Sequence, residues 1–197
     1  MIVSDSPNPF YVFSSWLHEH ITSTALNHPS ACVLSTIGLD GFPNARNVAL
    51  KELQHPYLIT TGPLSSRKGQ EIDQNPKVAL TFWWDESGRQ IRIQGVASLL
   101  DDQSSDFYFS NRNKNSQIIS VASKQGEILT TTSLFQDSIE KTKQEFNNKE
   151  VVRPLNWGGF KIEPLRFEFL EFKESREHIR TLFTKNNRNW NVCMLQP

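Results

Sequence analysis

Hydrophobic and polar positions change period along the chain, and each change marks an element. From Pro9 the apolar residues Phe10, Phe13, Trp16, Leu17, Ile21 and Ala25 recur at spacings of three and four, which predicts a helix with one buried face. Asn27-His28-Pro29 ends it, because the residue before a proline avoids the helical region. Residues 31–37 and 44–51 then read as strands around the turn signal Gly38-Leu39-Asp40-Gly41, and residues 57–61 add a third. Residues 77–84 and 89–100 form a second hairpin around Asp85-Glu86-Ser87-Gly88. In its second arm Ile91, Ile93, Ala97 and Leu99 alternate with Gln90, Arg92, Gln94 and Ser98, the period-two pattern of a half-buried antiparallel strand. Residues 66–74, stopped by Asn75-Pro76, predict a helix between the hairpins. The period turns helical again over 101–111 and 134–147, with part of the polar stretch 113–133 helical as well. After Pro154 four strand runs close the chain, at 157–162, 166–172, 179–185 and 190–195. About eight short strands with inserted helices predict an α+β fold on a closed or nearly closed, mostly antiparallel β-barrel. The 197 residues suit one domain, with residues 1–8 a loose leading segment.

Charge narrows the partners. Lys plus Arg and Asp plus Glu both number 21, so the formal net charge is zero and no broad field draws the chain to nucleic acid or an anionic membrane. Any anion must be held by a local cluster of cations. Cys32 and Cys193 lie far apart, with no Cys or His at metal-ligand spacing, which points to a reduced, cytoplasmic protein. The five histidines make no metal spacing either, and no metal site is expected. No apolar run approaches the ~20 residues of a membrane span. The start Met1-Ile2-Val3-Ser4-Asp5-Ser6-Pro7 lacks a basic segment followed by an apolar one, so no signal peptide is expected. Glycine-rich phosphate loops, H-E-x-x-H and G-x-S-x-G are absent from the sequence.

Four sets of cations beside polar residues remain. Ser66-Arg67-Lys68 opens a helix, where free backbone N–H groups already favour an anion. An Arg fork, a Lys point charge and a hydroxyl there make a phosphate cradle, although an ordinary solvated helix start also accounts for them. Arg46 and Lys51 lie five apart on one strand, hence on opposite faces. Tyr108 and Arg112 share a helix face with Ser116 just beyond, which taken alone is also an ordinary surface pair. Arg176, His178 and Arg180 alternate onto one face if the strand begins that early, and such a row of cations asks for an anion opposite.

In this order these pieces resemble the pyridoxine/pyridoxamine 5′-phosphate oxidase family, which folds as an FMN-binding split β-barrel. The likeness runs from about Trp16 to Pro197. It is carried by Ser66-Arg67-Lys68, Asn75-Pro76, Arg89-Gln90, Ser116-Gln117-Ile118, Ser123-Lys124-Gln125, Trp157-Gly158-Gly159-Phe160, Arg176-x-His178-x-Arg180 and the closing Leu195-Gln196-Pro197. The resemblance implies a homodimer with FMN in its interface. Arg46, Asn47, Val48, Ala49, Leu50 and Lys51 would line the flavin, with Thr61 and Gly62 at a strand end, and Arg67 and Lys68 would hold its phosphate. Gln90, Gln125, Trp157 and Arg180 would complete the contacts from the other subunit, with Gly126 where the family often has a Ser touching FMN. The implied substrate is a phosphorylated B6 vitamer, its phosphate on Lys51, Tyr108, Arg112 and Ser116, with Arg176 and His178 as the catalytic pair near its ring. The family's reaction passes hydride to the flavin and then to dioxygen, giving hydrogen peroxide and pyridoxal 5′-phosphate. Asn113 in place of a frequent Pro is expected to loosen the helix end after Arg112, and Met194 replaces a frequent Arg. The competing readings are a paralogous FMN oxidase of another reduced aromatic, of the phenazine-biosynthesis type, and a non-catalytic flavin- or haem-binding split barrel.

Overall fold

The computed structural model describes residues 8–197, so the segment expected to be loose lies outside the described residues save for Asn8. Asn8 caps helix α1, Pro9–Ser23, its side-chain oxygen accepting from the Phe10 N–H. Strands β1 (Ala31–Ile37), β2 (Pro43–Gln54) and β3 (Tyr57–Pro63) lead to helix α2, Arg67–Gln74. Strands β4 (Lys77–Trp84) and β5 (Arg89–Leu99) follow, then helices α3 (Asp102–Ser110), α4 (Lys114–Ala122) and α5 (Thr132–Glu145). Strands β6 (Trp157–Glu171), β7 (Ile179–Asn186) and β8 (Asn189–Leu195) complete the chain.

The strands run in the order β3-β2-β1-β4-β5-β6-β7-β8, every neighbouring pair is antiparallel, and β6 also pairs with β3. That last pairing closes six strands into a barrel and leaves β7 and β8 as a ribbon on its outside. Closure removes the exposed edges an open sheet would carry. The two runs read at 157–162 and 166–172 are one strand of 15 residues, about 50 Å long. Pro164 sits where the pairing with β5 slips between Gln94 and Gly95, so its missing N–H falls at a bulge and does not end the strand. Gly95 is required there, because a Cβ would come 2.5 Å from the Glu163 carbonyl oxygen.

Leu34, Leu58, Leu80, Phe82, Ile91, Ile93, Ile162 and Phe167 fill the barrel and are essentially inaccessible. Each such side chain contributes roughly 1.5–3 kcal/mol by leaving water. Helix α1 packs on this core through Phe13 against Phe82, centroids 5.1 Å apart, and Phe10 against Phe167 at 5.2 Å. Its buried stripe ends differently from expectation. Ile21 is exposed and Ala25 lies past the helix, while His20 turns inward and stacks on Trp84 at 4.8 Å. Leu99 is likewise exposed, at the point where β5 hands over to α3. A second cluster of Phe109, Ile118, Val151 and Trp157 ties α3 and α4 to the start of β6.

Candidate functional site

A cleft of about 580 Å³ opens between the barrel wall and α4. Its floor is residues 44–49 of β2 with Thr61, Gly62 and Pro63 at the end of β3. Ser66, Arg67 and Lys68 line it from the start of α2, Arg112, Ile119, Ser120 and Ser123 from around α4, and Gln125, Gly126 and Trp157 complete it. Four stretches far apart in sequence therefore meet because barrel closure brings the ends of β2, β3 and β6 together.

The cations are built in with care. Lys68 Nζ donates to Ser66 Oγ and Gln125 Oε1, both at 3.0 Å. Burial, and then the charge of Arg46, pull its pKa below the ordinary lysine value, so an anion there would gain from a poorly solvated ammonium. Arg46 is fixed by Leu34 O at 3.2 Å, Thr36 Oγ1 at 2.6 Å and Glu71 Oε2 at 2.7 Å. Arg67 donates from Nε to Glu71 Oε1 at 2.9 Å and from Nη2 to Asp40 at 2.8 Å. Arg112 lies over the ring of the buried Trp157, 5.1 Å from its centroid, and its Nη2 reaches Ser116 O and Ser120 Oγ at 3.4 Å. Burial lowers its pKa.

Lys51 is the residue that slips out of register where β2 bulges between Leu50 and Glu52. The bulge breaks the simple alternation that put Arg46 and Lys51 on opposite faces. Burial, and then the charge of Arg112, lower the Lys51 pKa. Tyr108 donates its hydroxyl to Glu52. Ser116 is held at the start of α4 by Asn113, whose Oδ1 accepts from the Ser116 N–H at 2.8 Å. Asn113 thus caps α4, the helix that follows the end it was expected to loosen. Gly126 adopts φ +94°, a conformation a serine would take only under strain.

One polar atom tests whether this cleft suits a flavin mononucleotide. Thr61 Oγ1 is buried without a hydrogen-bond partner. An orphaned group of this kind costs free energy unless a ligand satisfies it. Together with Lys68, Arg46 and Arg67 it forms a set matched to a phosphate and a polar ring edge, and the residues fit the group.

Of the other expected residues, Leu50 is buried in the core, and Lys51, Tyr108 and Ser116 do not line the cleft. Gln125 and Trp157 line this chain's own cleft and need no second copy to reach it, because the loop after α4 folds back onto Lys68. Gln90 and Arg180 do not line it; they flank Leu170 on the neighbouring strands β5 and β7. Arg180 donates to the buried Glu168 at 2.7 Å and to Gln196 O at 3.1 Å, and its Nε is buried and unpartnered. Arg176 and His178 precede β7, so the strand does not begin early enough to align them by alternation. They stand in the β6–β7 turn instead. Arg176 has φ +67°, and the Lys173 N–H donates to His178 Nδ1 at 3.1 Å. A neutral His178 therefore carries its proton on Nε2. Within one chain the expected site residues fall into two separate groups, the half-sites of the expected dimer.

Local sequence patterns did not single out Glu71, Glu52 or Asn44. For Glu71 a signal existed: it follows Arg67 by four residues on a helix, the spacing of an ion pair. The Glu52–Tyr108 contact joins residues 56 apart and had no local mark.

Comparison with known proteins gives these half-sites a context. Residues 18–146 match the family described as pyridoxamine 5′-phosphate oxidase. Residues 157–197 match the pyridoxine 5′-phosphate oxidase C-terminal dimerisation region. The chain is 39% identical over 198 residues to a pyridoxine/pyridoxamine 5′-phosphate oxidase of Wolbachia pipientis, covering 100% of this chain and 91% of that one. It is 36% identical over 192 residues to the enzyme of that name from Nostoc sp., covering 97% and 89%. Among solved structures, PhzG from Burkholderia lata in complex with tetrahydrophenazine-1-carboxylic acid superposes with a TM-score of 0.92 at 25% identity, covering 98% and 95%. An FMN-binding protein from Nostoc punctiforme shares the fold, with a TM-score of 0.79 at 16% identity and coverage of 98% and 100%.

Proposed function

Because the chain belongs to the pyridoxamine 5′-phosphate oxidase family and is an FMN-dependent oxidoreductase by that membership, we propose that it converts pyridoxamine or pyridoxine 5′-phosphate to pyridoxal 5′-phosphate as a homodimer. For the alcohol the balance is substrate plus O2 giving aldehyde plus H2O2; for the amine one water enters and ammonia leaves. The observation that supports this reading is two groups of cations on a chain with no net charge, Arg46, Arg67 and Lys68 lining the cleft beside Thr61 and Gly62, and Arg112 over Trp157 with Lys51 near it. A phosphorylated cofactor and a phosphorylated substrate would each occupy one.

In this reading Arg46, Arg67, Lys68 and Ser66 hold the FMN phosphate, and Thr61, Gln125 and the β2 backbone hold the rest of the molecule. FMN, when bound, supplies the two-electron acceptor that dioxygen restores. The protein's own contribution is binding, orientation and dryness. Lys51, Arg112, Tyr108 and Ser116 receive the substrate phosphate, Tyr108 turning from Glu52 to do so. Arg176 and His178, Gln90 and Arg180 arrive from the second subunit, with the His178 Nε2 proton pointing at a substrate oxygen or nitrogen. The match of residues 157–197 to a dimerisation region supports that exchange, since these residues include the β6–β7 turn and both outer strands.

A second reading, oxidation of a phosphate-free reduced aromatic, draws on the similarity to PhzG. Anaerobic mixing separates the two. The flavin absorbance should bleach with pyridoxine or pyridoxamine 5′-phosphate and stay oxidised with pyridoxine itself. Bleaching by a phosphate-free dihydroaromatic acid alone would establish the second reading.

A further inference from the structure

Glu71 lies on α2 one turn after Arg67, and its side chain has 0% exposure. Four donors converge on its two oxygens. Thr36 Oγ1 at 2.6 Å and Arg46 Nη2 at 2.7 Å reach Oε2, while Asn44 Nδ2 at 2.8 Å and Arg67 Nε at 2.9 Å reach Oε1. Full satisfaction is what a carboxylate withdrawn from water requires. The arrangement also does something for its neighbours. Arg46 comes from β2 and Arg67 from α2, both line the cleft, and this one carboxylate joins them.

We infer that Glu71 is a positioning residue, which holds Arg46 and Arg67 as a preformed pair for a phosphate monoester and so makes the cleft select a phosphorylated cofactor over its dephosphorylated form. The inference rests on the FMN reading above and deepens it. Two free arginines would have to be ordered when the anion binds; a braced pair has met that cost during folding. Glu71 also offsets repulsion among Arg46, Arg67 and Lys68 while no anion is present. Asp40 assists from outside, but its ion pair with Arg67 is exposed on both sides and adds little. Glu71 acts through the arginines and touches no ligand itself.

Titrating the full-length chain, stripped of flavin, with FMN and separately with riboflavin isolates the phosphate. Wild-type protein should bind FMN far more tightly than riboflavin. Glu71→Met should lower that ratio by about tenfold or more while leaving riboflavin affinity unchanged, as expected for disturbing charge-assisted contacts. Glu71→Gln keeps the volume and one acceptor oxygen, so it should recover most of the ratio yet fall about threefold short, with one arginine left unbraced. A merely structural Glu71 would weaken both flavins in equal proportion, and that result would overturn the inference. An unchanged ratio in Glu71→Gln would overturn it as well, which keeps the test decisive should Glu71→Met fail to fold. Wild-type protein that binds neither flavin would overturn the functional reading itself, an outcome distinct from either.

Discussion

The carboxyl of Glu71 shows how much a single residue can be bent by its surroundings. Burial by itself would raise its pKa, but hydrogen bonds from Thr36, Asn44 and Arg67 and the charge of Arg46 overcome that and hold it at about 2, below the ordinary 4.5. A carboxylate with a depressed folded-state pKa adds stability above its unfolded value and loses it as acid protonates it. The contribution should therefore be whole well above pH 4.5 and be lost as pH falls toward 2, a change on the order of 3 kcal/mol. Urea midpoints measured between pH 6 and pH 2.5 should fall for the wild type, and Glu71→Gln should show a shallower fall. Arg112 offers a second test. Its guanidinium stacks on Trp157 and carries an unpartnered Nε, and lysine can reproduce neither. Arg112→Lys should raise KM for the phosphorylated vitamer about tenfold while the ratio of flavin to protein absorbance stays normal. Most cations of the site could be found in the sequence, because Arg and Lys beside hydroxyls at element ends are visible locally. Their partners were hidden. Glu52 and Asn44 meet Tyr108 and Glu71 only across the fold, and no period or spacing announces such a pair.

At the scale of elements, α2 is the critical short piece, because it carries Arg67, Lys68 and Glu71 on eight residues. It lies so close to the preceding loop that a Cβ on Gly69 would fall 1.9 Å from the Leu64 carbonyl oxygen. Backbone must move to admit it, so Gly69→Ala should cost about 2 kcal/mol or more, seen as a lowered Tm with loss of bound flavin. Period and turn chemistry located nearly every element, with β1 and β4 matched end to end. The failures share a cause. Pro164 reads as a break, yet a bulge against Gly95 absorbs it, and only the neighbouring strand knows that. His20 reads as polar, yet Trp84 offers its ring a flat buried face. Arg176 would align with His178 and Arg180 only on a longer strand, yet the β6–β7 turn holds it in the left-handed region. In each case tertiary packing outweighed a local signal.

For the whole molecule, the separation of Lys68 from Arg180 has a direct outcome. If every working cleft takes the first from one subunit and the second from the other, Lys68→Ala and Arg180→Ala chains should each be inactive alone. Mixed by refolding in equal amounts, they should regain about a quarter of the wild-type sites, since half the dimers are hybrids with one intact cleft each. Activity that stays absent in verified hybrids would mean both residues serve the same cleft. Glu168 bears on the result, because this buried carboxylate receives Arg180 at 2.7 Å and also draws Arg92 at 3.5 Å and Arg166 at 3.7 Å. Substituting Glu168 should therefore mimic loss of Arg180 in the same complementation.

Strand β6 is at once a stave of the barrel and the support of the outer ribbon. A chimaera spliced ahead of Trp157, to borrow a relative's association surface, would import all of that stave's inward-facing residues along with it. Such grafts must be recut within the β6–β7 turn, or the host's interior must be redesigned to receive them.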